Sequence, residues 1–250
     1  MDQLYTLLNG LYHFPIEQMA KYSLLRRVDT KFLYPASKLG TLIKLLGEYY
    51  GILPASEQPI ASYQTLYFDS PDKIFYYQHH RGKRDRFKIR IRHYLDRKLT
   101  FMEVKCKTNH NITNKVRRKL DYLNNSINGD EQSFLRDQMP YDPTTIVSQV
   151  WTNFYRITLV GLGFKERLTV DLGLTFEADD KQHSMQELAI IEIKQPRFWS
   201  RSPAMIALRT LGVRPSSMSK YCTAQATLFP SLRSNRFHPS LRDIRRIINV

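Results

Sequence analysis

The sequence predicts an α+β protein in which about eight mostly antiparallel strands close into a barrel, with helices packed outside it. Three observations carry that expectation. Apolar and charged residues alternate with a period of two at several separate places, segments with helical spacing fall between them, and no internal repeat or low-complexity stretch is present. With 250 residues, 42% of them hydrophobic and 12% aromatic, the chain can bury a substantial core in one large domain or two small ones.

Taken in order, Leu7, Leu8, Leu11 and Phe14 suit a short leading helix within residues 1–23. Leu24 to Tyr34 reads as a strand, and Ala36 to Tyr50 as a helix that stops at Gly51. The aromatic and β-branched segment Ile60 to Asp69 is a strand, after which Pro71 opens a short helix containing Phe75 and Tyr76. In Arg81 to Lys98, Phe87, Ile89 and Ile91 alternate with Lys88, Arg90 and Arg92, so three cations share one strand face. Leu99 to Lys107 forms its hairpin partner, followed by a polar loop over Asn109 to Asn114 and a strand over Lys115 to Tyr122. Asn124 to Pro143 is rich in turn residues with a helix inside, and Val147 to Val160, Phe164 to Glu177 and Gln186 to Gln195 supply three more strands. Helices over Pro203 to Leu211 and Ser216 to Leu228 complete a domain spanning residues 24–228, ahead of a basic tail over residues 229–250.

Charge narrows the function. Lys plus Arg number 38 against 23 Asp plus Glu, a formal excess of +15 that favours polyanionic partners such as nucleic acid, polyphosphate, nucleotide or anionic lipid. Arg81 to Lys98 alone holds nine cations and two acids. A polar strand face usually meets water, but solvated faces mix Thr, Ser and Gln with Lys, whereas here Arg and Lys dominate on several strands. Like charges on neighbouring strands repel, so a bound anion is expected to supply the balance. If these faces point inward, the barrel is a tunnel lined with Arg and Lys, and Arg is suited to hold phosphate oxygens bidentately. Basic strands with interleaved aromatics also suit single-stranded nucleic acid; Phe87, Ile89 and Ile91 oppose the cations, which disfavours that partner.

Two cysteines are too few for a disulfide framework and no signal peptide opens the chain, so a reduced, cytoplasmic setting is expected. The longest apolar runs fall short of the ~20 residues that span a bilayer. In the tail, Leu241, Ile244, Ile247 and Ile248 share a helical face flanked by arginines; such a helix can pack on its own barrel, lie on an anionic membrane surface or dock on a partner.

Eight segments occur in order: Arg27-Val-Asp-Thr-Lys31-Phe, Leu66-Tyr-Phe-Asp69-Ser, Lys88-Ile-Arg90-Ile-Arg92-His-Tyr94, Phe101-Met-Glu103-Val-Lys105, Tyr155-Arg156-Ile-Thr, Arg167-Leu-Thr-Val-Asp171, Ile191-Glu192-Ile-Lys194 and Ser219-Lys220-Tyr221. Together they resemble the catalytic domain of the vacuolar transporter chaperone (VTC) family, within the triphosphate tunnel metalloenzymes, from about Arg26 to Leu228. The resemblance implies a closed tunnel that binds ATP by its phosphates and moves the terminal phosphoryl group onto a growing polyphosphate chain. It implies that Lys31, Arg90, Arg92, Lys105, Arg156, Arg167 and Lys220 serve catalysis, and that Arg27, Lys88, Lys194 and either Lys115 or Arg117 hold phosphates. Glu192, with Glu103 as a second ligand, would bind Mn²⁺ or Mg²⁺. A separate membrane subunit is a further implied partner.

Related triphosphatases and class IV adenylate cyclases open with E-x-E-x-K, and Arg27 stands where their first acid would be. Synthetic relatives usually carry Glu at Asp29 and often Lys at Ser217. A hydrolase of the same fold and a polyanion-binding module without catalysis are the competing readings.

Overall fold

The alternating segments do form strands, and their apolar sides face outward. The structure is a computed structural model that describes residues 2–17, 24, 27–54, 57–108, 113–121 and 123–248. Its strands are β1 (Val28–Pro35), β2 (Tyr50–Ile52), β3 (Ile60–Asp69), β4 (Arg86–Tyr94), β5 (Leu99–Lys107), β6 (Thr113–Leu120), β7 (Val147–Gly161), β8 (Arg167–Ala178), β9 (Lys181–Met185) and β10 (Leu188–Gln195). The helices are α1 (Asp2–Asn9), α2 (Leu39–Leu46), α3 (Ile74–Arg81), α4 (Gly129–Arg136), α5 (Pro203–Thr210), α6 (Lys220–Leu228) and α7 (His238–Ile248).

One antiparallel sheet of ten strands runs β1-β10-β8-β7-β3-β4-β5-β6, with β2 added to β7 and β9 to β8. Two short strands therefore go beyond the sequence reading. β2 lies where the second helix was expected to run on to Tyr50, and β9 returns through a tight turn at Asp179, whose φ is 53°.

The expected closure into a barrel is not made by hydrogen bonds: among the described residues β1 and β6 are the two ends of the sheet. The edge of β1 is taken instead by the segment leading into α6, where the Ser216 amide donates to the Lys31 carbonyl (2.8 Å) and Phe32 bridges to Pro215. Pairing that edge with chain removes the exposed donors a further strand would need. The sheet nevertheless curls far enough for Lys31 on β1 to act electrostatically on Lys88 of β4 and Lys105 of β5, strands that are not its neighbours.

The convex side carries two apolar clusters. Phe32, Ile157, Leu168, Val170, Ile191 and Ile193 pack under α1, α2 and α5. Ile89, Ile91, Met102 and Val104 pack with Phe75 of α3 and Leu135 of α4. Fully burying one such side chain contributes ~1.5–3 kcal/mol, so the helices fix which face of each strand points out, and period two then fixes the cations on the concave side. A third cluster fills part of the concavity, where α6 and Ile244 of α7 meet Tyr67, Phe154, Leu174 and Phe176. The tail is thus a helix whose apolar stripe, Ile244 with Ile247 and Ile248, packs on its own sheet. No helix among the described residues is long and apolar enough to cross a membrane.

Candidate functional site

The concave face gathers most of the cations that the sequence singled out, and three carboxylates organise them. Glu103 on β5 accepts from Arg90 Nε (2.7 Å) and pairs with Lys115 of β6. Asp171 on β8 receives both arms of Arg156, at 2.5 and 2.7 Å, and pairs with Lys220 at the start of α6. Glu192 on β10 pairs with Lys194 and, at 3.7 Å, with Lys31. Strand register explains the sharing, because Arg90 lies directly opposite Glu103, Arg156 opposite Asp171 and Lys31 opposite Glu192. Burial opposes the charge on each carboxylate, yet the adjacent cations overcome it and hold all three well below the usual carboxylate range.

The remaining cations have no acid of their own. Among the described residues Lys88, Lys105, Arg92 and Arg167 make no ion pair. Arg92 is buried and donates to the Thr65 hydroxyl (3.3 Å), and Arg167 has a buried Nε without a hydrogen-bond partner. Lys88 and Lys105 stand opposite each other on β4 and β5. Desolvation first, then mutual repulsion with Lys31 and Arg90, pushes both down to about 8. Lys115 and Lys194 are also pushed to about 8 by burial, although each has a carboxylate beside it.

Aromatic rings share this face. Tyr63 and Phe154 stack with centroids 5.1 Å apart, and the guanidinium groups of Arg92 and Arg156 lie over both rings at 5.1–5.8 Å. The separation of aromatics from cations seen on β4 therefore does not hold for the face as a whole. Tyr63 and Phe154 are 8% and 3% exposed, so they are occupied in positioning arginines and offer no open platform for bases.

Two of the expected residues lie apart from this arrangement. Arg27 is exposed just before β1 and pairs with Asp29 at 2.9 Å. Arg117 is exposed on β6 opposite Glu103 and lies over the Phe101 ring without an ion pair among the described residues, whereas Lys115 of the same strand pairs with Glu103. Asp171 and Tyr67 belong to the site and were not singled out. Asp171 was visible as the last alternate position after Arg167 and Thr169; Tyr67, which accepts from Arg90 Nη1 (3.3 Å), had no charge to mark it. Burial raises the Tyr67 phenol, but Arg90, Arg92 and Lys220 together bring it below its ordinary value.

Asp69, at the end of β3, shows how α6 is placed. Its carboxylate caps α3 by accepting from the amides of Phe75 (2.8 Å) and Tyr76 (2.9 Å), and also accepts from the Tyr221 hydroxyl (2.6 Å). Tyr221 follows Lys220 directly, so this anchor sets the position from which Lys220 reaches Asp171.

No three His, Cys, Asp or Glu side chains converge among the described residues. Mg²⁺ and Mn²⁺ are commonly held by one or two carboxylates together with substrate phosphates, and Glu192, whose side chain is 19% exposed, fits that role. Glu103 is 2% exposed and pairs with Arg90 and Lys115, so Glu192 is the more accessible of the two carboxylates.

Among solved structures the chain resembles a candidate adenylate cyclase from Bacillus halodurans (14% identity, TM-score 0.46, covering 78% of this chain and 94% of that one). It also resembles a candidate adenylyl cyclase from Hippeastrum described as having a dominant triphosphatase activity (14%, TM-score 0.49, 80% and 96%). A third likeness is to the PH1819 protein of Pyrococcus horikoshii (13%, TM-score 0.46, 80% and 99%). No curated protein matches the sequence. The model of the VTC domain matches residues 26–229, and with the ordered segments and the cationic concavity in place, the chain belongs to the VTC domain family.

Proposed function

We propose that this protein is a metal-dependent polyphosphate polymerase that transfers the terminal phosphoryl group of ATP to the end of a polyphosphate chain. One observation supports the reading: Lys88, Lys105, Arg92 and Arg167 face the concavity without acid partners among the described residues, while each carboxylate beside them is already shared by two cations. Such a surface stores unfavourable charge that a row of phosphates would relieve.

Phosphoryl transfer needs little covalent help, so positioning and charge on the equatorial oxygens can carry most of the rate. Arg92 and Arg167 present guanidinium donors, and Lys88 and Lys105 add point charge. Arg90, Arg156 and Lys220 are held in place by Glu103 and Asp171. A divalent cation held by Glu192 and phosphate oxygens would neutralise charge between neighbouring phosphates. The acceptor is a phosphate oxygen of the chain already bound, and no side-chain nucleophile takes part.

The test is incubation of the purified protein with ATP and Mn²⁺ or Mg²⁺, with long chains resolved on gels and free phosphate assayed in parallel. Chains that vanish in Glu192→Gln, while ATP binding persists, are expected. Free phosphate without chains would replace polymerase by hydrolase.

A further inference from the structure

A second group of unpaired cations lies outside the concave face. A pocket of about 500 Å³ is lined by Tyr77, His80, Arg81, Arg233, Asn235 and Arg236, and it shares no residue with the site described above. Among the described residues Arg81, Arg233 and Arg236 make no ion pair. They are held on a fixed frame: the Tyr76 hydroxyl donates to the Arg233 carbonyl (3.1 Å), and His80 Nε2 and Asn235 Oδ1 are 2.6 Å apart. Gly82 lets Arg236 lie close to the end of α3. Its φ is +67°, and a Cβ there would stand 2.7 Å from Nη2 of Arg236.

Cations often gather at a helix C-terminus to satisfy its carbonyls. At the end of α3 the amides of Gly82 and Lys83 already serve the carbonyls of His79 (3.1 Å) and Gln78 (2.9 Å). Arg81 lies over the Tyr77 ring at 5.9 Å, and none of the three guanidinium groups has a carboxylate partner among the described residues, so their charge is open to another oxyanion. From Arg81 the chain continues through Lys83, Arg84 and Arg86 straight into β4, whose Lys88 and Arg90 lie on the concave face.

We propose that this pocket is an outer phosphate-binding site that holds a distant part of the same condensed phosphate chain whose end lies in the concavity. The inference rests on the tunnel reading for the inner end and on the pocket geometry for the outer one. A short anion would occupy one region only, whereas a long chain would occupy both and gain effective concentration from the linkage.

The experiment compares binding of tripolyphosphate and of long-chain polyphosphate by the wild-type chain and by Arg233→Gln/Arg236→Gln, titrated calorimetrically at fixed salt. The expected result is long-chain binding weakened by about tenfold or more in the variant, since charge-assisted contacts are typically worth that much, with tripolyphosphate binding unchanged. Arg81→Gln, an exposed position on α3, serves as a second variant and should shift long-chain affinity in the same direction with an unaltered melting temperature. Long-chain binding equal in wild type and in both variants would overturn the outer site. Failure of tripolyphosphate to bind wild type would instead overturn the tunnel reading, and arginine-dependent long-chain binding would then leave the pocket standing.

Discussion

Two sets of cations share the concave face, and they differ in what surrounds them. Arg90, Lys115, Arg156, Lys220, Lys31 and Lys194 each touch a carboxylate, whereas Lys88, Lys105, Arg92 and Arg167 touch none among the described residues. The first set has one carboxylate for every two cations and behaves as framework. The second has none until something negative enters. The difference separates what holds the site together from what the site is for, although both sets consist of the same residue types on adjacent strands.

Breaking the carboxylate-paired set should have the largest effect on folding. Asp171→Asn leaves Arg156 and Lys220 uncompensated in a buried position, so stability should fall by about 3 kcal/mol or more in urea unfolding, with part of the loss recovered by tripolyphosphate. Thinning the set without carboxylates should do the opposite. Lys88→Met or Lys105→Met removes an unpaired, desolvated charge, so the ligand-free protein should become more stable by on the order of 1 kcal/mol while tripolyphosphate binding weakens by about tenfold. A loss of stability in both variants would erase the distinction between the two sets. At the bottom of the scale, Arg118→Ala breaks an exposed pair with Asp130 and should change stability by no more than ~0.5 kcal/mol.

Burial of the lysines fixes a pH dependence. Lys88, Lys105, Lys115 and Lys194 sit near 8 in the folded protein and near the ordinary lysine value when unfolded, so between those values the unfolded chain binds more protons. Stability of the ligand-free protein should therefore rise as pH goes from about 8 toward 10, because protonation of these lysines costs folding energy below that window.

Much of the inner face was legible in the sequence, since Lys88, Arg90 and Arg92 or Glu103 and Lys105 need only period two to share a side. Which carboxylate serves which cation was not, because that depends on register between strands distant in sequence. Along β8 the inward parity changes: Asp171 faces the concavity with Arg167 and Thr169, but beyond an irregularity near Gly173, where φ is +59°, Leu174 and Phe176 take the inner side. Alternation counted across that point would misplace half the strand. The open seam between β1 and β6 was likewise hidden, because it depends on Pro215 and Ser216 pairing with an edge nearly two hundred residues away. The pocket that Arg233 and Arg236 form with Arg81 appears only once α3 and residues 233–236 are brought together.

The central claim is that unpaired lysines in the concavity await phosphate. Calorimetric titration of tripolyphosphate at pH 8, in two buffers of different ionisation enthalpy, tests it most directly. Binding should draw protons onto Lys88 and Lys105 as the anion raises their pKa, giving net proton uptake that shrinks in Lys88→Met/Lys105→Met. Tight binding with no proton uptake in wild type would contradict the account.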